Sequence, residues 1–259
     1  MKKIVIGLLL VSVILLNTFA VLAISSSEAK MLWEQAKLVT QEKRGSYREA
    51  KIDFATNQDY EHRQEVVRTG KELLHASLDE AEAWLIWKEA EVNESIRVPE
   101  SLKKAIRSDV DKNLAKVEEF REDVDAVTNQ LELGVVFVKM VGGYLELVTD
   151  VARNSGKMWV HIGNELIDTG EDYESKLRVV AETVEDNKDI IAALDEAKED
   201  LAEAQENVNK AEDTYGNVVL PGTPLINFAK GNDYIRTAKT NLISAHANLE
   251  RAYAMLLGG

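Results

Sequence analysis

Apolar residues in this chain recur mainly at steps of three and four, the spacing of one face of a helix, and the pattern predicts an all-α protein. Ser25-Ser26-Ser27-Glu28 is a helix start, with serines to cap and an acid in the first turn. Ala29, Trp33, Ala36 and Thr40 follow on one face of a first helix running to about Ala55, and Thr56 to Asp59 forms a turn. A second helix carries Val67, Gly70, Leu74, Ser77, Ala81 and Trp84 on one stripe. It ends near Pro99, which disfavours helix in the residue before it. At about 38 residues it would be roughly 57 Å long, so the pattern predicts a rod-like body. A third helix opens at Pro99, with Pro near its first position. Its stripe of Val110, Leu114, Val117, Val124, Val127 and Leu131 leads into the most apolar run after the N-terminus, LELGVVFVKMVGGYLELV over Leu131–Val148.

That run predicts a central, mostly buried helix with Leu131, Val135, Val138, Val141/Gly142 and Leu145 at helical spacing. A membrane span needs about 20 apolar residues. Glu132 and Glu146 bracket a shorter stretch, and Lys139 sits in its middle. Gly134, Gly142 and Gly143 each weaken a helix by roughly 1 kcal/mol relative to Ala. They mark either close packing of a neighbouring backbone, with room for a ligand, or a kink at Gly142-Gly143. Asn154-Ser155-Gly156 predicts an end to this element, Lys157 to Ile167 a short piece, and Asp168 to Glu171 a break and a new cap. A long helix then runs from Tyr173 to Tyr215. From Leu194 it becomes a heptad seam with Ala at every second core position. Gly216 to Gly231, with Pro221-Gly222-Thr223-Pro224, reads as a loop. Ile235, Ala238, Leu242, Ala245, Leu249, Ala252 and Leu256 repeat the seam. Two matching seams joined by a loop predict an antiparallel hairpin.

The expected architecture is an elongated antiparallel helical bundle with long coiled-coil-like helices. Residues 24–259 form one domain: a first hairpin over 24–98, a third helix with the central run over 99–155, and the remaining helices over 157–259. The two hairpins align at an offset of 168 residues: Tyr47 matches Tyr215, and Arg68-Thr69-Gly70-Lys71 matches Arg236-Thr237-Ala238-Lys239. That offset is a whole number of heptads, so two unrelated seams would also align in phase. Either origin predicts hairpins that look alike and flank the central helix.

Residues 1–23 change the picture. Lys2-Lys3, the apolar stretch from Ile4 to Leu16, and Val21-Leu22-Ala23 have the pattern of a secretory signal peptide cleaved after Ala23. The rival is an uncleaved anchor, because Ile4 to Ile24 is long enough to span. The address is therefore exported, extracellular or cell-surface, with membrane contact only through an uncleaved N-terminal segment. The formal charge is −14. It falls to −16 when Lys2 and Lys3 leave with the signal. That balance argues against nucleic acid, which requires clustered Lys and Arg, and against anionic lipid. With no cysteine, disulfides and thiol chemistry are excluded.

Candidate chemistry is sparse. Glu72 and His75 have the Glu-x-x-His spacing of di-iron bundles, which use two such pairs and two more inward glutamates; the only comparable spacing, Asp59 to His62, starts with Asp and sits at a helix end. They are weak metal candidates, and no cofactor is expected. His161, near Met158 and Trp159, reads as a core-edge histidine. Phosphate-cradle and nucleophile-elbow motifs are absent. Trp84 and Trp87 are candidates for a partner-binding aromatic patch, and Asn93-Glu94-Ser95 is a glycosylation sequon at Asn93.

The signal, the Ala-spaced first helix (Ala29, Ala36, Ala50), the segment from Gly70 to Ala81 and the seam from Ala238 to Ala252 together resemble uncharacterised exported helical proteins of archaea. The resemblance covers most of the chain after the signal. It implies an exported helical bundle and no particular activity. The function expected is non-enzymatic: a protein partner or self-association in an envelope scaffold, adhesion or assembly. The alternatives are a bundle that binds an apolar ligand or lipid and, more distantly, a metal-dependent bundle enzyme.

Overall fold

The computed structural model describes residues 24–258, and the proposed signal lies outside them. Six helices and no strands make up the described residues: α1 (Ser26–Thr56), α2 (Tyr60–Glu94), α3 (Glu100–Asp125), α4 (Gln130–Ala181), α5 (Lys188–Gly216) and α6 (Pro224–Gly258). Local chemistry sets the first boundaries where expected. Ser25 and Glu28 form a reciprocal capping box at α1. The Asp59 carboxylate accepts the His62 N–H at 2.9 Å to cap α2. Pro99 is the extended residue just before α3.

The middle of the chain departs from the sequence pattern. The third helix does not continue into the apolar run. Asn129 accepts the Glu132 N–H at 3.0 Å, and Glu132 reaches back to accept the Thr128 N–H at 2.7 Å. This cap lets the chain reverse after Val127. α4 then runs antiparallel to α3, with Lys116 paired to Glu146 at 2.5 Å, Asn113 facing Asp150 at 3.3 Å and Asp109 facing Asn154 at 3.1 Å.

The breaks expected at Asn154-Ser155-Gly156 and at Asp168 to Glu171 do not exist. α4 passes through both as one helix of 52 residues, about 78 Å long. Gly156, Gly163 and Gly170 are heptad-spaced notches on α4 that admit side chains of the antiparallel α5. A Cβ at Gly163 would lie 2.9 Å from Val208 Cγ2, one at Gly170 2.6 Å from Leu201 Cδ2, and one at Gly156 2.5 Å from Tyr215 Cδ1. The break falls instead at Glu182–Asn187, inside the long helix the pattern predicted. α6 begins at Pro224, seven residues before the expected end of the loop at Gly231.

Two stretches of core follow one another along α4. The first gathers Leu74, Leu85, Val117, Val124 and Leu147 from α2, α3 and the start of α4. The second gathers Ile167, Ala204, Val208, Tyr215 and Ala238 from the rest of α4 with α5 and α6, and continues past Ala181, Leu194 and Ala252. The seam positions of α5 are buried as their spacing predicts, and on α6 Ala238, Ala245, Leu249 and Ala252 are buried while Ile235, Leu242 and Leu256 are partly buried. α1 packs along α2, with Trp33 stacked on Trp87 at 4.8 Å and the Thr40 hydroxyl donating to the Ala76 carbonyl at 2.9 Å. The two hairpins therefore serve successive lengths of α4. They do not flank a central helix.

Candidate functional site

The apolar run is helical, but it is not the buried centre of the molecule. Leu133 and Leu147 are buried, and Val136, Met140 and Gly143 turn the same way, toward α2 and α3. The predicted stripe is the opposite face: Leu131 is 80 % exposed, Val135 62 % and Val138 70 %. Phe137, Val141, Tyr144 and Leu145 are exposed beside it. The charged residues of the segment, Glu132, Lys139 and Glu146, recur every seven residues and form one edge. Each is engaged: Glu132 in the α4 cap, Lys139 with Asp123 at 2.5 Å and Glu146 with Lys116. The rest of the circumference is uncharged. A helix apolar nearly all round is normally covered on all sides; among the described residues this one is covered on one side only.

A groove deepens the exposed face. Tyr47 and Phe54 of α1, Gly70 and Leu74 of α2, and Leu133, Gly134 and Phe137 of α4 line a cavity of about 320 Å³. A neighbouring cavity of about 180 Å³ lies among Leu74, Ala81, Phe120, Phe137, Val141 and Tyr144. The two share Leu74 and Phe137. Burial holds the Tyr144 phenol above its ordinary pKa, and the negative charge of Glu80 adds to the effect.

The three glycines behave differently from one another. Gly143 is a close-packing position, since a Cβ there would collide with the Phe120 ring. Gly134 and Gly142 are not: both face open space, and Gly134 lines the larger cavity. Close approach occurs instead at Gly70, against Leu133, and at the α4 notches opposite α5.

The other candidates are dispersed. Glu72 is paired with Lys43 at 2.9 Å and also with Arg68, while His75 faces Asp125 of α3 at 2.9 Å. Those ionic partners hold the Glu72 carboxyl below its usual range, the hydrogen bond from Lys43 foremost, and burial opposes them. No group of three or more potential metal ligands occurs among the described residues. Trp84 is half-buried against the first core, and Trp87 lies between Trp33 and the Lys88 ammonium, 3.7 Å from its ring. They do not form one exposed patch. Asn93 is half-buried in the last turn of α2, where its side-chain carbonyl accepts from Arg107 at 2.9 Å. His161 lines a separate, more polar cavity of about 380 Å³ with Arg153, Lys157 and Glu212.

The groove residues Phe54, Phe137 and Tyr144 were not singled out by the sequence pattern, and Tyr47 entered only as the match of Tyr215. Two signals pointed toward this surface: the charges confined to 132, 139 and 146, and glycines repeating at multiples of seven through Gly142, Gly156, Gly163 and Gly170.

Comparison with known proteins found no matching family model, no matching curated protein and no matching solved structure. Among the described residues, no helix is long and apolar enough to cross a membrane.

Proposed function

We propose that this chain is an exported, non-enzymatic helical protein, built on coiled-coil-like seams, that works by protein–protein contact through the exposed face of α4. One observation carries the reading: an apolar surface from Val135 to Leu145, with Lys139 held at its edge, that the other described residues leave bare. Exposed apolar patches of this kind mark interaction sites. Each large aliphatic side chain covered there would contribute about 1.5–3 kcal/mol.

The test is a photoreactive amino acid at position 138 in the full chain, expressed in its native host, with the same probe at Glu203 on α5 as control. Protein adducts of defined mass at 138 and none at 203 are the expected result. Absence of any protein adduct at 138 would end the interaction reading.

A second reading, an apolar ligand or lipid held in the groove, is favoured by the paired cavities beside Gly134 and Phe137. Native mass spectrometry of the purified chain separates the two. An apolar small molecule retained by the wild type and lost on Phe137→Glu would support the ligand.

A further inference from the structure

Resting on the interaction reading, we propose that the occupant of the α4 face is a second copy of this chain, packed antiparallel about a two-fold axis near Val138.

The argument begins with how α4 is covered elsewhere. Over its later half, one face of the helix meets the antiparallel α5, and three residues seven apart are glycines filled by a larger side chain: Gly156 by Tyr215, Gly163 by Val208 and Gly170 by Leu201. α5 ends at Gly216, opposite Gly156. The face itself does not end there. Thr149, one heptad before Gly156, is still buried, and Gly142, one heptad earlier again, has nothing within 4 Å of where its Cβ would be. Gly142 is thus an empty notch in phase with three filled ones. From there the seam runs back through Val138 and Val135 to Leu131 for about 17 Å, apolar and exposed. The exposed segment continues an interface the chain already forms with an antiparallel helix.

A second α4 supplies what the notch lacks. The steps from Leu131 through Val135, Val138 and Gly142 to Leu145 alternate four and three. Read in reverse, the same stripe meets itself. Antiparallel pairing about Val138 lays the bulky Leu131–Val138 end of one copy over the Gly142–Leu145 end of the other. A two-fold interface requires such self-complementarity. Charge favours this occupant as well. A chain of formal charge −14 repels its own copies in general, so a self-contact must sit where charge is absent. Between Val135 and Leu145 only Lys139 is charged, and it is turned to the edge against Asp123. The groove beside Phe137 and Tyr144 widens the contact beyond a single pair of helices.

The chain has no cysteine, so a single-cysteine scan over positions 131, 135, 138, 142 and 145 of the full chain reads the arrangement directly. The antiparallel dimer predicts an intermolecular disulfide strongest at or next to 138 and falling off on both sides, because only residues near the axis bring their Cα atoms within about 7 Å. Light scattering should give twice the 28.9 kDa chain mass, and Val138→Glu should weaken association about tenfold or more, while Ile243→Glu on α6 leaves it unchanged. Circular dichroism and the melting curve of each variant establish that it is folded.

A monomer at every concentration overturns the proposal. So does even crosslinking at all seam positions, which means parallel packing. A disulfide within one chain of the double variant Ser12→Cys, Val138→Cys overturns it too, because the N-terminal segment is then the cover. If photoadducts at 138 form only with other proteins, the dimer fails and the interaction reading stands.

Discussion

Tyr215 shows how one residue can join three helices. Its ring fills the space over Gly156 of α4 and Gly231 of α6, and its hydroxyl donates to Asn232 at 2.6 Å. A methyl group at Gly156 has nowhere to go. Gly156→Ala should therefore lower unfolding stability by about 1–3 kcal/mol, read as a shift in urea midpoint at unchanged slope. Gly134 faces open space, so Gly134→Ala should raise stability by up to about 1 kcal/mol through helix propensity alone. Equal effects at the two sites would contradict the notch. Burial also pushes the Tyr215 phenol up to about 12 from 10.0. Between those values the unfolded chain loses the proton and the folded chain keeps it. The folded state then binds more protons, and stability falls as pH rises through the window. Tyr215→Phe should flatten the decline in melting temperature between pH 10 and 12, whatever its effect at pH 7.

At the scale of elements, the continuity of α4 is the decisive feature. Asn154, Ser155 and Gly156 have the composition of a helix stop, as do Asp168, Thr169 and Gly170. In each triplet one polar side chain is taken up inside the helix or by a neighbour: Asn154 donates to Asp109, and the Thr169 hydroxyl donates to the Glu165 carbonyl at 2.7 Å. The glycines admit side chains from α5. Hydrogen exchange should accordingly find the amides of 155–157 and 169–171 protected like mid-helix positions, and those of Glu185–Asp186 exchanging rapidly. Fast exchange at 155–157 would restore the break there and remove the single helix.

For the whole molecule, α4 is the common member of two successive cores. α1 contributes least to them: its buried residues are Ala29, Thr40 and Ala50, its Tyr47 packs against the edge of the first core, and the helix lies along α2. Low apolar burial makes a segment the first to open. Native-state exchange in dilute denaturant should release α1 amides well before those of α5, whose Leu194, Ala197, Ala204 and Val208 are fully enclosed. Release of α5 before α1 would reverse this order of stability. The covering of α4 also belongs to this scale. From Thr149 onward its seam face is covered, while from Leu131 to Gly142 that face is exposed among the described residues, and no residue within the run encodes that difference.

Much of the fold was already present in the order of residues. The caps at Ser25 and Asp59, the stop at Pro99 and the alternating Leu/Ala seams of α5 and α6 depend on neighbours within one or two turns of helix, so local chemistry and period determined them. Helical character between Leu131 and Val148 followed from the same period. Two matters were settled only by tertiary contact. One is whether a glycine ends a helix or receives a side chain, because Gly156 and Gly170 become notches only when Tyr215 and Leu201 arrive from α5. The other is which face of an apolar helix is dry. Periodicity marks Leu131, Val135 and Val138 as a stripe, but it carries no count of the helices that lie alongside. α2 and α3 cover the Leu133–Leu147 face, and α5 ends before reaching the other.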